Sequence, residues 1–144
     1  MSRAERAVAY FDQGFNCSQS VCTAFAEQFG VDHETALKIA AGFGAGMGRM
    51  AGTCGAVTGA FMAIGLKYGA VKGEDKQAKE TTYEQVRAFA KRFADRHGTL
   101  VCKELLECDI STPEGLKQAH EQNLFKTCCS QLVKSAAEIL EETL

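Results

Sequence analysis

The sequence predicts one all-α domain, a bundle of about five to seven helices. Its 144 residues suit a single compact domain. Apolar residues recur every three or four positions in almost every segment, and no stretch has the sustained alternation of a half-buried strand. Hydrophobic residues make up 46% and charged residues 24% of the chain, which is ordinary globular usage and excludes wholesale disorder. We therefore assign residues 1–144 to one domain.

Capping residues divide the first third of the chain into three helices. Ser2 opens a Ser-x-x-Glu capping box that starts a first helix running toward Gly14. Asn16 caps a second helix, which Gly30 ends, and Asp32 starts a third. The apolar positions that we expect to face the core from the second and third helices are Cys17, Val21, Phe25, Phe29, Ala36, Ile39, Ala40 and Phe43.

A glycine-rich loop at residues 42–48 precedes the central helix, which Thr53 caps. Gly55 and Gly59 lie four residues apart in this helix, so one of its faces lacks side chains. Because each interior glycine costs a helix about 1 kcal/mol relative to alanine, we expect a neighbouring helix or a cofactor to approach closely there. The loop has neither a Gly-x-Gly-x-x-Gly register nor a Gly-Lys-Ser/Thr ending, so we do not predict a nucleotide site.

Gly98, Thr99, Pro113 and Thr127 mark the predicted helix boundaries in the second half of the chain. The fifth helix turns Tyr83 toward the core and ends at Gly98, and Thr99 caps a short sixth helix. Pro113 suits the first position of another short helix, and Thr127 caps the last one. No interdomain linker, repeat or low-complexity tract interrupts the pattern, which supports a single domain.

Charge and cysteine usage limit the function classes. The net charge is −2, so no basic excess is available for nucleic-acid binding. The longest uncharged stretch, residues 50–66, contains glycines and threonines and is not predicted to span a membrane. The seven cysteines are an odd number, and the amino terminus is charged without an apolar run behind it. We therefore expect a protein of the reducing cytoplasm, whose cysteines are free thiols, metal ligands or redox catalysts.

Four predicted helix starts carry cysteine in their first turn, at Cys17, Cys54, Cys102 and the adjacent pair Cys128 and Cys129. Unpaired N–H groups and the positive end of the helix dipole lie there, and they lower the pKa of a cysteine from about 8.5 to roughly 3.5–7.5. We therefore predict that these thiols form a cluster. Since neighbouring side chains diverge on a helix, only one of the final pair is expected to face it.

An alternative interpretation treats the cysteines as small buried hydrophobes. We prefer it for Cys22 and Cys108, which lie inside or at the end of helices. No Cys-x-x-Cys pair occurs, so neither a thioredoxin-type active site nor a zinc ribbon is expected.

Five motifs in order resemble the C-GCAxxG-C-C family, small bacterial and archaeal proteins to which redox activity is ascribed and which share four cysteines and a Cys-Gly-Ala-x-x-Gly motif. The resemblance extends from about residue 4 to about residue 141. It implies that the four family cysteines are Cys17, Cys54, Cys102 and Cys129, with Cys128 as the alternative for the last. The motifs are Asn16-Cys17-Ser-Gln-Ser-Val21, Gly42-Phe-Gly-Ala-Gly-Met-Gly48, Cys54-Gly-Ala-Val-Thr-Gly59, Cys102-Lys-Glu-Leu-Leu106 and Cys129-Ser-Gln-Leu-Val133.

Three functions are compatible with these residues. The favoured one is an electron carrier in which the four cysteines bind an iron–sulfur cluster or zinc, with Gly55 and Gly59 beside the cofactor. The second is a metal-free thiol–disulfide oxidoreductase in which Cys54 attacks and another of the four cysteines resolves the mixed disulfide. The third is a helical partner-binding scaffold with structural cysteines. The first two functions call for a redox partner protein, and the sequence is compatible with a homodimer.

Overall fold

The computed structural model describes all 144 residues and confirms the all-α class. It has eight helices rather than five to seven, and the helix predicted to begin at Pro113 is one of them. None of them combines the length and apolar character needed to cross a membrane. The helices are α1 (Arg3–Asp12), α2 (Cys17–Ala26), α3 (His33–Ala40), α4 (Gly55–Tyr68), α5 (Lys76–His97), α6 (Cys102–Leu106), α7 (Pro113–Glu121) and α8 (Ser130–Thr143).

Several predicted helix boundaries are confirmed. The Ser2 side chain accepts a hydrogen bond from the backbone of α1, and Asp32 does the same for α3. Asn16 forms a complete capping box at the start of α2. Gly30 and Gly98 adopt left-handed φ angles of 82° and 87° where helical segments end, a conformation that costs glycine little.

Three predicted threonine caps are wrong. Thr53 lies in an isolated antiparallel bridge with Val101, and α4 begins after Cys54 without a side-chain cap. The Thr99 hydroxyl accepts a hydrogen bond from the Val101 N–H, but α6 starts only after Val101. Thr127 lies inside a continuous helical stretch, in a π-helical turn (Phe125–Cys129) that leads directly into α8.

The α2 helix lies at the centre of the domain and is buried along almost its whole length. One of its faces packs against α4, where a Cβ added at Gly59 would lie 2.7 Å from the Ser18 carbonyl oxygen. A Cβ added at Gly55 would lie 3.0 Å from the Ser18 nitrogen. The close approach predicted at these glycines is therefore the contact of one helix backbone with another.

A smaller core lies on the opposite face of α2, where Cys22 and Ala26 pack against Ala36 and Ala40 of α3. Three apolar side chains that we predicted to face inward are exposed instead. Tyr83 is 54% exposed, Ile39 is 57% exposed and Phe43 is 38% exposed. Helical spacing alone did not show which side of α3 and α5 is buried. Both helices lie at the outside of the bundle, and each has only two buried residues.

The glycine-rich stretch before α4 contains a left-handed helical turn. Five consecutive residues, 45–49, have φ angles between 57° and 71°, and the Gly48 N–H donates to the Gly44 carbonyl over 2.9 Å. Left-handed helical conformation costs a non-glycine residue roughly 1–2 kcal/mol. The turn is held by a 2.8 Å hydrogen bond from Gly52 N–H to the Gly46 carbonyl. Local strain is therefore concentrated next to the start of α4.

Candidate functional site

A cavity of about 240 Å³ lies between the start of α2, the left-handed turn, the start of α4, α6 and the π-helical turn. Most of its lining is hydrophobic, with Phe11, Phe15 and Phe125 among the aromatic side chains. Four cysteines complete the wall, namely Cys17, Cys54, Cys102 and Cys129. All four are buried and none forms a disulfide.

Each of these four cysteines comes from a different segment. Cys17 and Cys102 are the first residues of α2 and α6, and Cys54 immediately precedes α4. Cys129 is the last residue of the π-helical turn rather than a residue in the first turn of a helix. The backbone fixes two of these segments to each other, since the Cys54 N–H donates to Leu100 and the Cys102 N–H donates to Gly52. The fold thus brings together residues that are far apart in the sequence.

Burial is the main cause of the raised pKa values of Cys54 and Cys102. It raises the pKa of Cys54 to about 11, although the backbone N–H groups of Ala56 and Val57 face the sulfur and act in the opposite direction. Burial likewise raises the pKa of Cys102 to about 12, with added repulsion from Cys54 and Cys129. Desolvation disfavours the charged thiolate, so both thiols are protonated at neutral pH.

Cys17 and Cys129 affect each other's ionisation. The neighbouring thiol of Cys129, together with burial, holds the pKa of Cys17 well above its ordinary value. The neighbouring thiol of Cys17 lowers the pKa of Cys129. The prediction that helix starts lower the pKa is therefore wrong for Cys17, Cys54 and Cys102. At Cys129 the pKa is lowered, but by a neighbouring thiol rather than by a helix end.

Two other cysteines lie in separate surroundings. Cys22 belongs to the small core against α3, and burial alone raises its pKa to about 11. The Cys108 thiol is buried and donates a 2.9 Å hydrogen bond to the Gly115 carbonyl. Both positions fit the interpretation of cysteine as a small buried side chain.

Cys128 is the residue whose location the sequence did not reveal. Its sulfur lies 3.7 Å from the Leu105 carbonyl oxygen, and Leu105 lines the cavity. Electrostatic repulsion from Cys128 contributes to the raised pKa of both Cys54 and Cys102. A π-helical turn separates adjacent side chains by a smaller angle than an α-helix, which lets Cys128 and Cys129 approach the same region.

The two glycines predicted beside a cofactor have different positions. Gly55 lines the cavity, whereas Gly59 is not among the lining residues and faces Ser18 of α2. No three side chains of His, Cys, Asp or Glu are grouped closely enough to hold one metal ion between them. The four thiols are therefore distributed over the wall of the cavity rather than gathered at one point.

Comparison with known proteins identifies the family. Residues 15–143 match the model of a family described as "Putative redox-active protein (C_GCAxxG_C_C)". The chain belongs to this family. No curated protein and no solved structure matches it. In this C_GCAxxG_C_C member, Cys54 and Gly55 of the motif line the cavity, and Gly55 and Gly59 form the close contact with α2.

Proposed function

We propose that this protein transfers electrons by means of an iron–sulfur cluster bound to Cys17, Cys54, Cys102 and Cys129. One observation carries this proposal: four thiols from four distant segments line a single, mostly apolar cavity of about 240 Å³. Four cysteine ligands are the usual set for a [2Fe–2S] or [4Fe–4S] cluster, which supplies one-electron transfer when bound. A redox partner protein would deliver or accept the electron.

The distribution of the thiols favours a cluster over a single zinc ion. Structural zinc needs four ligands about 2.0–2.3 Å from one point, which requires a tight group of side chains. Here no three potential ligands form such a group, and the sulfurs surround a space. The four ligands of a cluster are divided among two or four iron atoms, so their sulfurs need not all converge on one point.

The surroundings of Cys54 suit a bound thiolate. The N–H groups of Ala56 and Val57 point toward its sulfur and favour the negative charge. Hydrogen bonds of this kind tune the potential of a bound cluster. Burial keeps Cys54 and Cys102 protonated without a cation, so we expect metal loading to release protons and to weaken as the pH falls.

Thiol–disulfide exchange without metal is the second candidate, and the lowered pKa of Cys129 beside Cys17 in the same cavity wall favours it. In this function Cys129, whose pKa is lowered, replaces Cys54 as the attacking thiolate. Cys54 is a poor nucleophile at neutral pH because its pKa is about 11.

Anaerobic purification followed by measurement of iron, acid-labile sulfide and visible absorption tests the proposal. We expect iron and sulfide in the wild-type protein, and a loss of roughly tenfold or more in Cys54→Ser. Cys22→Ser is the matched control, since Cys22 is equally buried but lies in the other core, and it should retain its iron.

Two results would contradict cluster binding. One is a colourless, iron-free wild-type protein after anaerobic purification and reconstitution with iron and sulfide. The other is equal iron content in Cys54→Ser and Cys22→Ser. Mass spectrometry of the oxidised protein then tests the second candidate, which requires a disulfide between Cys17 and Cys129.

A further inference from the structure

The cavity that the four thiols share has no other polar side chain free to bind a ligand. Asn16 is the one lining residue whose side chain carries nitrogen or oxygen, and no lining residue is charged. Both ends of its amide are used, since the nitrogen donates to the Ala41 carbonyl over 2.9 Å and the oxygen accepts from the Gln19 N–H over 2.9 Å. The two buried side-chain oxygens without a partner belong to Ser18 and Thr23, which do not line the cavity. The wall therefore has no side chain that would offset the desolvation of a charged ligand.

Aromatic rings form the partly exposed part of the cavity wall. Three lining phenylalanines are only partly buried, namely Phe11, Phe15 and Phe125. Tyr10 packs edge-on against Phe15, with ring centroids 6.1 Å apart, and the His120 ring centroid lies 5.1 Å from that of Phe125. These neighbours hold two of the three rings in place before any ligand binds, so this part of the wall is preformed.

The volume and the lining of the cavity fit one aromatic ring. An apolar cavity of about 150 Å³ binds benzene. This cavity has about 240 Å³, which leaves room for a small substituent, and its other lining side chains include Leu106, Ile110 and Leu132. Aromatic rings attract one another edge to face, and a free thiol behaves as a small hydrophobe. The three phenylalanines therefore favour an aromatic ligand over an aliphatic one of the same size.

We propose that this cavity, when it holds no metal, binds a small uncharged aromatic molecule. The ligand class is a single six-membered ring with at most a short apolar substituent. This inference goes beyond electron transfer, because it requires only the shape and lining of the cavity and no reaction of a thiol. The molecule and a cluster would occupy the same space, so the two bound states exclude each other.

Toluene is the probe, with the full-length protein freed of metal by a chelator and kept reduced. We expect a dissociation constant on the order of 1 mM or lower. Benzoate has the same ring with a charged substituent, and it should bind at least about tenfold more weakly because its carboxylate loses water without gaining a partner. Methylcyclohexane has a similar size without aromaticity and should bind roughly two- to tenfold more weakly than toluene.

Methyl NMR of the four isoleucines locates the bound probe. Ile110 lines the cavity, whereas Ile139 in α8 is similarly buried but does not line it. Toluene should shift the Ile110 methyl signals and leave those of Ile139 unchanged. This comparison uses the wild-type chain, so it does not depend on the folding of a variant.

A matched pair of variants tests the same location. Leu105→Trp adds bulk at a partly buried position in the cavity wall and should weaken toluene binding roughly tenfold. Leu66→Trp makes the same change at a leucine that is 39% exposed and lies outside the cavity. It should bind toluene like the wild type.

Unchanged Ile110 signals in toluene-saturated buffer would overturn the inference, and so would benzoate or methylcyclohexane bound as tightly as toluene. Equal binding by Leu105→Trp and Leu66→Trp would also contradict it. Iron content, measured separately, decides whether a cluster is bound. Protein that loads iron but whose metal-free form leaves toluene unbound supports the cluster alone, whereas iron-free protein with a shift at Ile110 supports the aromatic ligand alone.

Discussion

The two faces of α2 each bury a cysteine, and the two thiols have different surroundings. Cys22 is packed among alanine side chains of α2 and α3, and burial alone raises its pKa. Cys17 lines a cavity, and its pKa is raised by the neighbouring Cys129 thiol, by burial and by the charges of Cys54 and Cys102. Burial of a cysteine therefore does not identify a site in this protein; the presence of other thiols around a shared space does.

Backbone strain also differs between the cavity side of α2 and the side that packs against α3. Four of the six non-glycine residues with positive φ are on the cavity side, in the left-handed turn and directly after it: Ala45, Met47, Arg49 and Ala51. No such residue occurs in α2, α3 or the segment between them. Unfavourable conformations of this kind often accompany functional sites.

The largest change in stability is expected at Gly59 of α4, which packs against Ser18 of α2. Gly59→Ala would place a Cβ 2.7 Å from the Ser18 carbonyl oxygen, which is backbone and cannot rotate away. We expect the free energy of unfolding to fall by about 2–3 kcal/mol, because α4 and α2 must move apart. Urea denaturation under reducing conditions measures this change.

Gly65→Ala is the matched control in the same helix. Nothing lies within 4 Å of a Cβ added there, so we expect stabilisation by about 0.5–1 kcal/mol from helix propensity. If both substitutions changed stability in the same direction, close packing at Gly59 would not explain why glycine is present there.

The pH dependence of the free energy of unfolding should reveal the raised pKa of Cys22, the thiol in the small core against α3. In the unfolded chain Cys22 loses its proton near pH 9, whereas in the folded protein it keeps the proton up to about pH 11. The unfolded state therefore binds fewer protons between these values, and stability falls as the pH rises. We expect this one thiol to cost about 1 kcal/mol between about pH 8 and about pH 10.

Cys22→Ala should remove that contribution. The difference in unfolding free energy between wild type and Cys22→Ala should therefore shift by about 1 kcal/mol in favour of the variant over the same pH range. A pH-independent difference would mean that burial does not suppress ionisation of this thiol.

The smallest effect concerns the strained turn on the cavity side. Arg49 is exposed and has a φ of 71°, so Arg49→Gly should relieve strain while increasing the entropy of the unfolded chain. We expect a net gain of about 0.5 kcal/mol in a thermal unfolding experiment. Met50→Gly, at an exposed neighbour without positive φ, should lose about 0.5–1 kcal/mol. Destabilisation of equal size in both would contradict the assigned conformation.

The features that depend on local chemistry could be predicted from the sequence. The caps at Ser2, Asn16 and Asp32 followed from side chains that bond their own helix ends, and the all-α class followed from apolar spacing. The choice of four cysteines followed from helix starts together with the family motifs, and these four line one cavity.

The remaining features depend on tertiary structure and could not be predicted. The pKa directions at Cys54 and Cys102 were wrong because burial, which needs the assembled fold, outweighs the helix-end effect. The position of Cys128 depends on a π-helical turn, for which the sequence Phe-Lys-Thr-Cys-Cys gives no recognisable signal.

The shared position of Cys17 and Cys129 in the cavity wall has a topological consequence. A covalent link between these sulfurs would join the first residue of α2 to the end of the π-helical turn and enclose most of the chain in one ring. Closing so large a ring restricts the unfolded ensemble by an amount worth about 4–5 kcal/mol in the chain-entropy model. Oxidation of this pair would therefore raise the free energy of unfolding of the whole domain, although the bond itself would lie at one edge of it.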